Sequence, residues 1–140
     1  MTKIKTLSAA LIAAALIAPV ASAGTLTVTL EDIKKTKGTV QMGIFDESGY
    51  ETGEAVNGAN VTIDEATETV TIEGLAPGFY GIKMFHDVND DGEMNTNPFG
   101  MPTEPYAFSN NAKGRFGPAK WDAAKFEVTA DGAVQTISIN

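Results

Sequence analysis

The chain has 140 residues, with 18 acidic and 10 basic side chains, a formal net charge of −8 and no cysteine. Thiol catalysis and thiolate zinc sites are therefore excluded, and the single histidine excludes any site that needs two imidazoles from one chain. The acid excess argues against nucleic-acid binding, which depends on neutralisation of phosphates by Lys and Arg. Polar chemistry in this chain must come mainly from oxygen atoms.

The first 23 residues have the three parts of a secretory signal peptide. Two lysines precede the uncharged run Leu7–Ala18, Pro19 follows it, and Ala21-Ser22-Ala23 is a small-x-small cleavage site. The apolar run is short for a membrane span, which needs about 20 residues. We therefore expect cleavage before Gly24, export to the periplasm or the medium, and no membrane insertion of the mature chain.

Alternating apolar and polar residues predict about seven short β-strands in the rest of the chain. The apolar positions of these strands predict a core of Leu26, Val28, Val40, Met42, Ile44, Ile72, Ile82, Met84, Phe126, Val128, Ile137 and Ile139. Asp46–Ala59 is typical of an exposed loop, and Asp131-Gly132 of a hairpin turn. No amphipathic helix of useful length is visible, and Ala123–Phe126 offers a helical turn at most. We predict one antiparallel β-sandwich domain over residues 24–140, immunoglobulin-like or prealbumin-like.

One segment, from Asp87 to Trp121, has little regular pattern. Loops longer than about 12–15 residues are uncommon in compact domains. Its aromatic residues are too many for disorder, so we predict a long ordered loop: Phe99, Tyr106, Phe108, Phe116 and Trp121. These aromatics either pack the loop onto its own domain, which is the commoner case, or form a platform for a sugar or peptide. We assign to such a binding surface His86, Tyr106, Phe108, Asn110, Asn111 and Trp121.

The pattern Asp-x-Asn-x-Asp-Gly begins at Asp87. Its three oxygen-bearing side chains are two residues apart, so curling of the chain brings them onto one ion, and Gly92 permits the sharp turn. Hard oxygen ligands favour Ca²⁺ over transition metals. The predicted ligands from this segment are Asp87, Asn89, Asp91, the carbonyl of Glu93, and Asn95 either directly or through water.

The pattern departs from an EF-hand in two respects. The twelfth position, which carries a bidentate Glu in EF-hands, is Pro98, and a strand rather than a helix enters the loop. Another acid must complete the site, and we expect it to be Glu104 on the returning chain, with Asp90 and Asn97 as weaker candidates. The alternative is that Asp, Asn and Gly simply form a tight turn at the end of the strand.

His86 continues the inward face of the strand that contains Ile82 and Met84. It is either a partly buried imidazole bonded to a nearby carbonyl, or a functional side chain that acts as a catalytic base or supports the calcium loop. Ser48 and Ser109 both lack the Gly-x-Ser-x-Gly setting of a nucleophile elbow. We favour the buried or supporting role, because one histidine without a nucleophile is weak support for catalysis.

Several motifs occur in the order found in one known family: Gly38-Thr39-Val40, Gly74-Leu75-Ala76-Pro77-Gly78-Phe79-Tyr80, His86-Asp87-x-Asn89-x-Asp91-Gly92, Phe99-Gly100-Met101-Pro102-x-Glu104, Tyr106-x-Phe108-Ser109-Asn110-Asn111 and Phe116-Gly117-Pro118. The chain resembles the bacterial exported family catalogued as domain of unknown function 2141. The resemblance implies a location and a fold rather than a reaction. The Gly-Leu-x-Pro-Gly-x-Tyr segment is also similar to prealbumin-like and collagen-adhesin B-type sandwiches, many of which bind or space rather than catalyse.

Three functions remain open at this point. The leading hypothesis is an exported, calcium-stabilised β-sandwich that binds a protein, peptide or glycan through its 95–121 surface. The second is a periplasmic hydrolase that uses His86. The third is a structural module of a cell-envelope assembly.

Overall fold

The computed structural model describes residues 22–140, so the predicted signal segment lies outside the described residues except for Ser22 and Ala23. Within this range the elements are β1 Gly24–Glu31, β2 Thr39–Phe45, α1 Glu47–Thr52, β3 Asn57–Thr62, β4 Glu68–Leu75, β5 Gly78–Asp87, β6 Tyr106–Phe108, a 3₁₀ turn Ser109–Asn111, α2 Trp121–Ala124, β7 Phe126–Val128 and β8 Ala133–Ser138. Neither of the described helices is long and apolar enough to cross a membrane.

Two sheets face each other across an apolar core. The smaller sheet has the order β4-β1-β8, and the larger has the order β3-β2-β5-β6 with β7 also paired to β5. Every pair is antiparallel except β1 with β8, which is parallel. The predicted β-sandwich is confirmed, and its additional strand, β6, lies inside the segment predicted to be a long loop.

The core follows the period of two along each strand, as expected for strands with one buried face. All twelve residues predicted for the core are buried. In β5 the side chains of Tyr80, Ile82 and Met84 belong to this core. The intervening positions, Gly81, Lys83 and Phe85, therefore lie on the outer face of the larger sheet.

One half of that outer face is covered by the two helices. The prediction of an exposed loop is wrong for Glu47–Thr52, which forms α1, and for residues 57–59, which begin β3. The Asp46 carboxylate caps this helix by accepting from the Gly49 N–H at 2.7 Å, and Gly53 ends it at φ 85°. Tyr50 is thereby buried and donates its hydroxyl to the Ala119 carbonyl at 2.7 Å.

The aromatic cover rests directly on the sheet at a glycine. A Cβ at Gly81 would lie 2.8 Å from ring carbons of Tyr50 and 3.2 Å from the Trp121 ring. The rings of Tyr50 and Trp121 are 5.5 Å apart, and those of Phe45 and Tyr50 are 6.1 Å apart. The Lys83 ammonium lies 4.1 Å from the Tyr50 ring centre, a cation–π arrangement at the edge of the cover.

Along one edge, β5 pairs with β7 over residues 78–80 and with β6 over residues 83–85. Ser109 lies at the joint between these two partner strands. The buried Ser109 hydroxyl accepts from the Ile82 N–H at 2.9 Å and donates to the Ala124 carbonyl at 2.5 Å. Two buried main-chain groups are thus satisfied where no strand reaches them. This accounts for Ser109 as a structural residue.

The Asp131-Gly132 turn differs from its prediction in one respect. The turn itself forms, with the Gly132 N–H donating to the Thr129 carbonyl at 2.9 Å and Gly132 at φ 95°. The strands on either side, β7 and β8, belong to different sheets. The turn therefore carries the chain across the sandwich instead of closing a hairpin.

Candidate functional site

The loop predicted to bind calcium begins where β5 ends. Asp87 is buried, and its carboxylate accepts from the main-chain N–H of Asp91 at 3.2 Å and of Gly92 at 2.8 Å. The Gln41 amide donates to the same carboxylate at 3.3 Å. Gly92 has φ 81°, a left-handed conformation that glycine adopts without steric cost. The chain therefore curls around Asp87 as the motif predicts.

Asp91 closes the same loop from its exposed side. One carboxylate oxygen accepts from the Glu93 N–H at 3.0 Å, and the other accepts from the side-chain amides of Asn89 at 3.1 Å and Asn95 at 2.7 Å. The Asn95 amide, followed by the Glu93 N–H, lowers the pKa of Asp91 below its ordinary value. These hydrogen bonds favour the ionised carboxylate.

Glu104 reaches the loop from the returning chain, as predicted, and contacts its main chain. Its two carboxylate oxygens accept from the N–H groups of Val88 and Asn95, each at 3.0 Å. Thr103 adds a main-chain bond to the Asn95 carbonyl at 2.9 Å and a hydroxyl bond at 3.1 Å. Glu104 therefore ties the start of the loop to its end.

The two weaker ligand candidates have other partners. Asp90, at φ 54°, accepts the Thr39 hydroxyl at 2.7 Å. The Asn97 side chain accepts from the N–H groups of Phe99 at 2.9 Å and Met101 at 3.1 Å. Asn97 thus organises a turn that presents these two apolar side chains.

Within residues 22–140 no group of three or more His, Asp or Glu side chains stands ready to hold a metal ion. The oxygens of the loop accept hydrogen bonds, and the amides of Asn89 and Asn95 present NH₂ groups to Asp91. Binding of Ca²⁺ would require both amides to rotate so that their oxygens face the ion. As it stands, the loop is a tight turn closed by its own hydrogen bonds.

His86 is not part of a surface, contrary to its assignment. Its side chain is 1% exposed, and Nε2 lies 2.7 Å from the Lys37 carbonyl oxygen. Its main-chain N–H donates to the Pro105 carbonyl at 2.8 Å. The imidazole is therefore a buried side chain bonded to a main-chain carbonyl, in agreement with the first of the alternatives given for it.

Three other residues assigned to the binding surface also serve the fold. Trp121 is 8% exposed and lies in the aromatic cover over Gly81. The Asn110 main-chain N–H donates to the Gln135 side-chain oxygen, and the Asn110 side-chain oxygen accepts from the Gln135 amide. The Asn111 side-chain oxygen accepts from the Ser138 N–H at 2.8 Å. The assignment of Trp121 to a ligand surface is wrong, because its ring is covered. Asn110 and Asn111 are exposed, and their side chains form hydrogen bonds with the chain itself. Both asparagines have positive φ, which Asn tolerates better than most residues.

A cluster of exposed apolar side chains, here called the apolar surface, lies on the same segment: Met94, Phe99, Met101, Tyr106 and Phe116. Phe99 is 89% exposed, Tyr106 is 47% exposed, and Phe116 is fully exposed. Four of these residues, together with Phe108 and Pro118, line a groove of about 600 Å³. Large exposed apolar patches on a folded protein mark binding sites more often than isolated apolar residues do.

The groove continues onto the uncovered half of the larger sheet. A neighbouring groove of about 430 Å³ shares Met94, Tyr106, Phe108 and Pro118 with the first. It extends across the outer face to Phe85 and Lys83. Tyr106 and Phe108, both assigned to the binding surface from sequence, thus line both grooves, although Phe108 is largely buried.

Phe116 is the least expected member of the apolar surface. Its backbone has φ 57°, a conformation that is an outlier for a bulky residue. Strained backbone that carries an exposed side chain is a feature of many binding loops. Phe99 and Phe116 each stand beside glycine in a turn, and this sequence context would have indicated exposure at a turn apex rather than packing. Met94 and Met101 carry no comparable signal.

The family comparison agrees with the motif order. Residues 28–137 match the family of domain of unknown function 2141, described as an uncharacterized protein conserved in bacteria. The chain belongs to this family. The predicted resemblance is therefore confirmed, while comparison with curated proteins and with solved structures finds no significant match.

Proposed function

We propose that this member of the domain of unknown function 2141 family is an exported binding module that takes its ligand on the apolar surface. The observation that carries the proposal is the exposure of Phe99 and Met101 on a segment whose main chain is tied down by Asn97 and Glu104, with the exposed Phe116 lining the same groove as Met101. An ordered apolar surface avoids part of the entropy cost that a flexible loop pays on binding.

The ligand classes under this proposal are a protein, a peptide or a glycan. The test is a screen of immobilised peptides, glycans and envelope proteins against wild type and Phe116→Ser. Val134→Ser is the matched control, because Val134 is 73% exposed on the outer face of the smaller sheet. We expect at least a tenfold loss of affinity in Phe116→Ser and none in the control. Equal binding by all three proteins would contradict the use of the apolar surface.

A bound Ca²⁺ ion is the second part of the proposal. Its support is that Asp87 curls the chain through the N–H groups of the fifth and sixth motif positions, Asp91 and Gly92, with Glu104 close by. Without the usual final Glu, the Kd should be modest, about 10⁻⁴–10⁻³ M as in extracellular modules. At ten times that concentration, calcium would add about 1.4 kcal/mol to the free energy of unfolding.

Calcium binding is tested by hydrogen exchange with and without the ion in wild type, Asp91→Asn and Glu127→Gln. Asp91→Asn removes one carboxylate from an exposed position of the loop, and Glu127→Gln removes an exposed charge on β7. Calcium should slow exchange across residues 87–104 in wild type and in the control only. Identical exchange in the presence and absence of calcium in wild type would reduce the motif to its turn.

Export is proposed from the predicted signal peptide. Mass spectrometry of protein recovered outside the cytoplasm should find Gly24 as the first residue, whereas an intact Met1 start in a membrane fraction would favour an anchor.

The hydrolase alternative gains no support from residues 22–140, because His86 and Ser109 are buried and bonded to main-chain groups. The structural-module alternative predicts binding only to a neighbouring envelope protein in the same screen.

A further inference from the structure

The outer edge of β6 carries unpaired main-chain groups. The His86 N–H donates to the Pro105 carbonyl, and two residues further along the register Met84 faces Ala107. Hydrogen-bonded pairs alternate along an antiparallel ladder, so Ala107 directs its N–H and C=O at β5. The N–H and C=O groups of Tyr106 and Phe108 consequently point away from β5. Within residues 22–140 no strand pairs with β6 on that side.

A slot of about 450 Å³ lies along this edge. Its lining includes all six residues from Thr103 to Phe108 on one side, with the 111–114 segment, Ser138 and Asn140 on the other. The three residues of β6 span about 10 Å of extended chain. The slot therefore lies along a short strand edge, where the free main-chain groups are those of Tyr106 and Phe108.

The neighbouring edge of the other sheet is closed. On β8 the Asn111 side chain accepts from the Ser138 N–H at 2.8 Å and donates to the Thr136 carbonyl at 3.2 Å, as a paired strand would. Natural proteins usually block exposed strand edges in some such way. Asn111 follows β6 in the chain, and its side chain serves β8 while the edge of β6 stays open.

We propose that the ligand of the apolar surface is an extended polypeptide segment that pairs with the free edge of β6. This inference rests on the binding role proposed above and names the ligand class. In an antiparallel pair the residues opposite Tyr106 and Phe108 exchange main-chain hydrogen bonds with them and place their side chains on the same face. That face is the apolar surface, so the segment carries apolar residues at every second position.

The open edge fits a flexible segment better than a second copy of this chain. β6 has only three residues, so pairing of two β6 edges joins two folded domains along a very short ladder. A stable interface between folded proteins buries about 800 Å² on each partner. An extended segment needs only the slot and the apolar surface, and the net charge of −8 favours a segment with basic flanks.

The probe is a set of blocked heptapeptides, Lys-Val-Thr-X-Thr-Val-Lys, in which X is Val, Leu, Phe or Tyr. Two N-methylated isomers of each peptide have the same composition. In the first isomer, the main-chain nitrogens of one Val and of X are methylated. In the second isomer, the main-chain nitrogens of the two Thr residues are methylated. Antiparallel pairing requires the N–H groups of the apolar residues, so the first isomer should bind at least tenfold more weakly than the second. The reverse order would indicate parallel pairing and still support strand addition.

A pair of variants tests the same edge from the protein side. Tyr106→Pro removes an N–H that β5 does not use, and Tyr106→Ala keeps that N–H while removing the same side chain. Tyr106→Pro should bind at least tenfold more weakly than Tyr106→Ala. In wild type, bound peptide should slow amide exchange at Tyr106 and Phe108.

The outcomes separate the two proposals. Equal binding by both methylated isomers, without protection of Tyr106 and Phe108, would overturn the strand pairing even if Phe116→Ser abolished binding. Absence of binding by every peptide would also overturn it. A glycan or folded protein that depends on Phe116 would then leave the binding role intact. Dimerisation through β6, detected by sedimentation and abolished by Tyr106→Pro, would replace the peptide with a second copy.

Discussion

The two halves of the outer face of the larger sheet both carry aromatic residues, but one half is covered by helices and the other is open. In one half, α1 and α2 cover Phe45 with Tyr50 and Trp121, and Gly81 allows the rings to rest on the strand. In the other half, Phe85 and Tyr106 lie beside grooves that no helix covers in residues 22–140. Aromatic content alone therefore does not distinguish a covered face from an exposed one.

The difference lies in what the connecting segments do. The 46–53 connection is capped at both ends as a helix, and its single large apolar side chain, Tyr50, turns inward. The 97–101 turn is held by Asn97, which accepts from main-chain N–H groups within the turn, and its apolar side chains point to solvent. A segment that satisfies its own main chain can remain ordered without burying its side chains. This is the property that a binding loop requires.

The largest expected effect separates the two halves by stability. Trp121→Ala removes a buried ring from the aromatic cover and should lower the free energy of unfolding by about 3–5 kcal/mol. Phe116→Ala, on the open half, should change it by no more than about 0.5 kcal/mol. Urea unfolding of both variants measures the difference. Similar losses in the two variants would mean that Phe116 is packed and that the comparison fails.

The second-largest effect on stability should come from loss of the Ser109 hydrogen bonds, which join β5 to the end of α2. Ser109→Ala leaves the Ile82 N–H and the Ala124 carbonyl buried without their partner, which costs about 1–3 kcal/mol for each group. Ser48→Ala, on the exposed side of α1, is the matched control and should be nearly neutral. Urea unfolding should separate the two serines, and a neutral Ser109→Ala would show that another group reaches the joint.

The strands of this fold could be predicted because their signal is local and repeats every second residue. Ile82 and Met84 indicate the buried face of β5 because they alternate with Gly81 and Lys83, which are small or polar. The six residues of α1 make fewer than two turns, too few for a helical period to appear. β6 has three residues in a segment interrupted by Pro102 and Pro105, and only its pairing with β5 reveals it as a strand.

The candidate site could be predicted in part for the same reason. The spacing of Asp87, Asp91 and Gly92 is local, and the curl it predicts is present. Trp121 is buried against Tyr50, which lies 71 positions earlier in the chain. No pattern near either residue indicates that contact. The amides of Asn110 and Asn111 suit a ligand or a neighbouring strand equally well until the fold places β8 beside them.

A third effect uses alkaline pH to probe the covered half. Burial, with a smaller contribution from Glu51, raises the pKa of Tyr50 to about 12 from 10.0. The folded state therefore keeps this proton at pH values where the unfolded chain has lost it. The contribution to stability is complete below pH 10 and is lost between about pH 10 and 12. Tyr50→Phe should remove this part of the alkaline decline, and the difference between the phenolate absorbance titrations of wild type and variant isolates the Tyr50 transition. A difference titration centred near pH 10 would show that the ring is open to solvent.

The smallest effect concerns the loop that borders the open half. Hydrogen bonds from Asn95 and the Glu93 N–H lower the pKa of Asp91 from 3.8, so the folded state favours the ionised carboxylate. Its contribution to stability is complete above pH 3.8 and is lost as the pH falls through the lower folded-state value. With calcium chelated, Asp91→Asn should be slightly less stable than wild type near neutral pH, and the two unfolding curves should converge in acid. The loss should be small because the carboxylate is exposed. The control Glu127→Gln should show the same pH dependence of unfolding stability as wild type over this range. If the stability of Asp91→Asn also ran parallel to that of wild type, the hydrogen bonds of Asp91 would contribute nothing to the turn, and Asp87 and Glu104 alone would hold it.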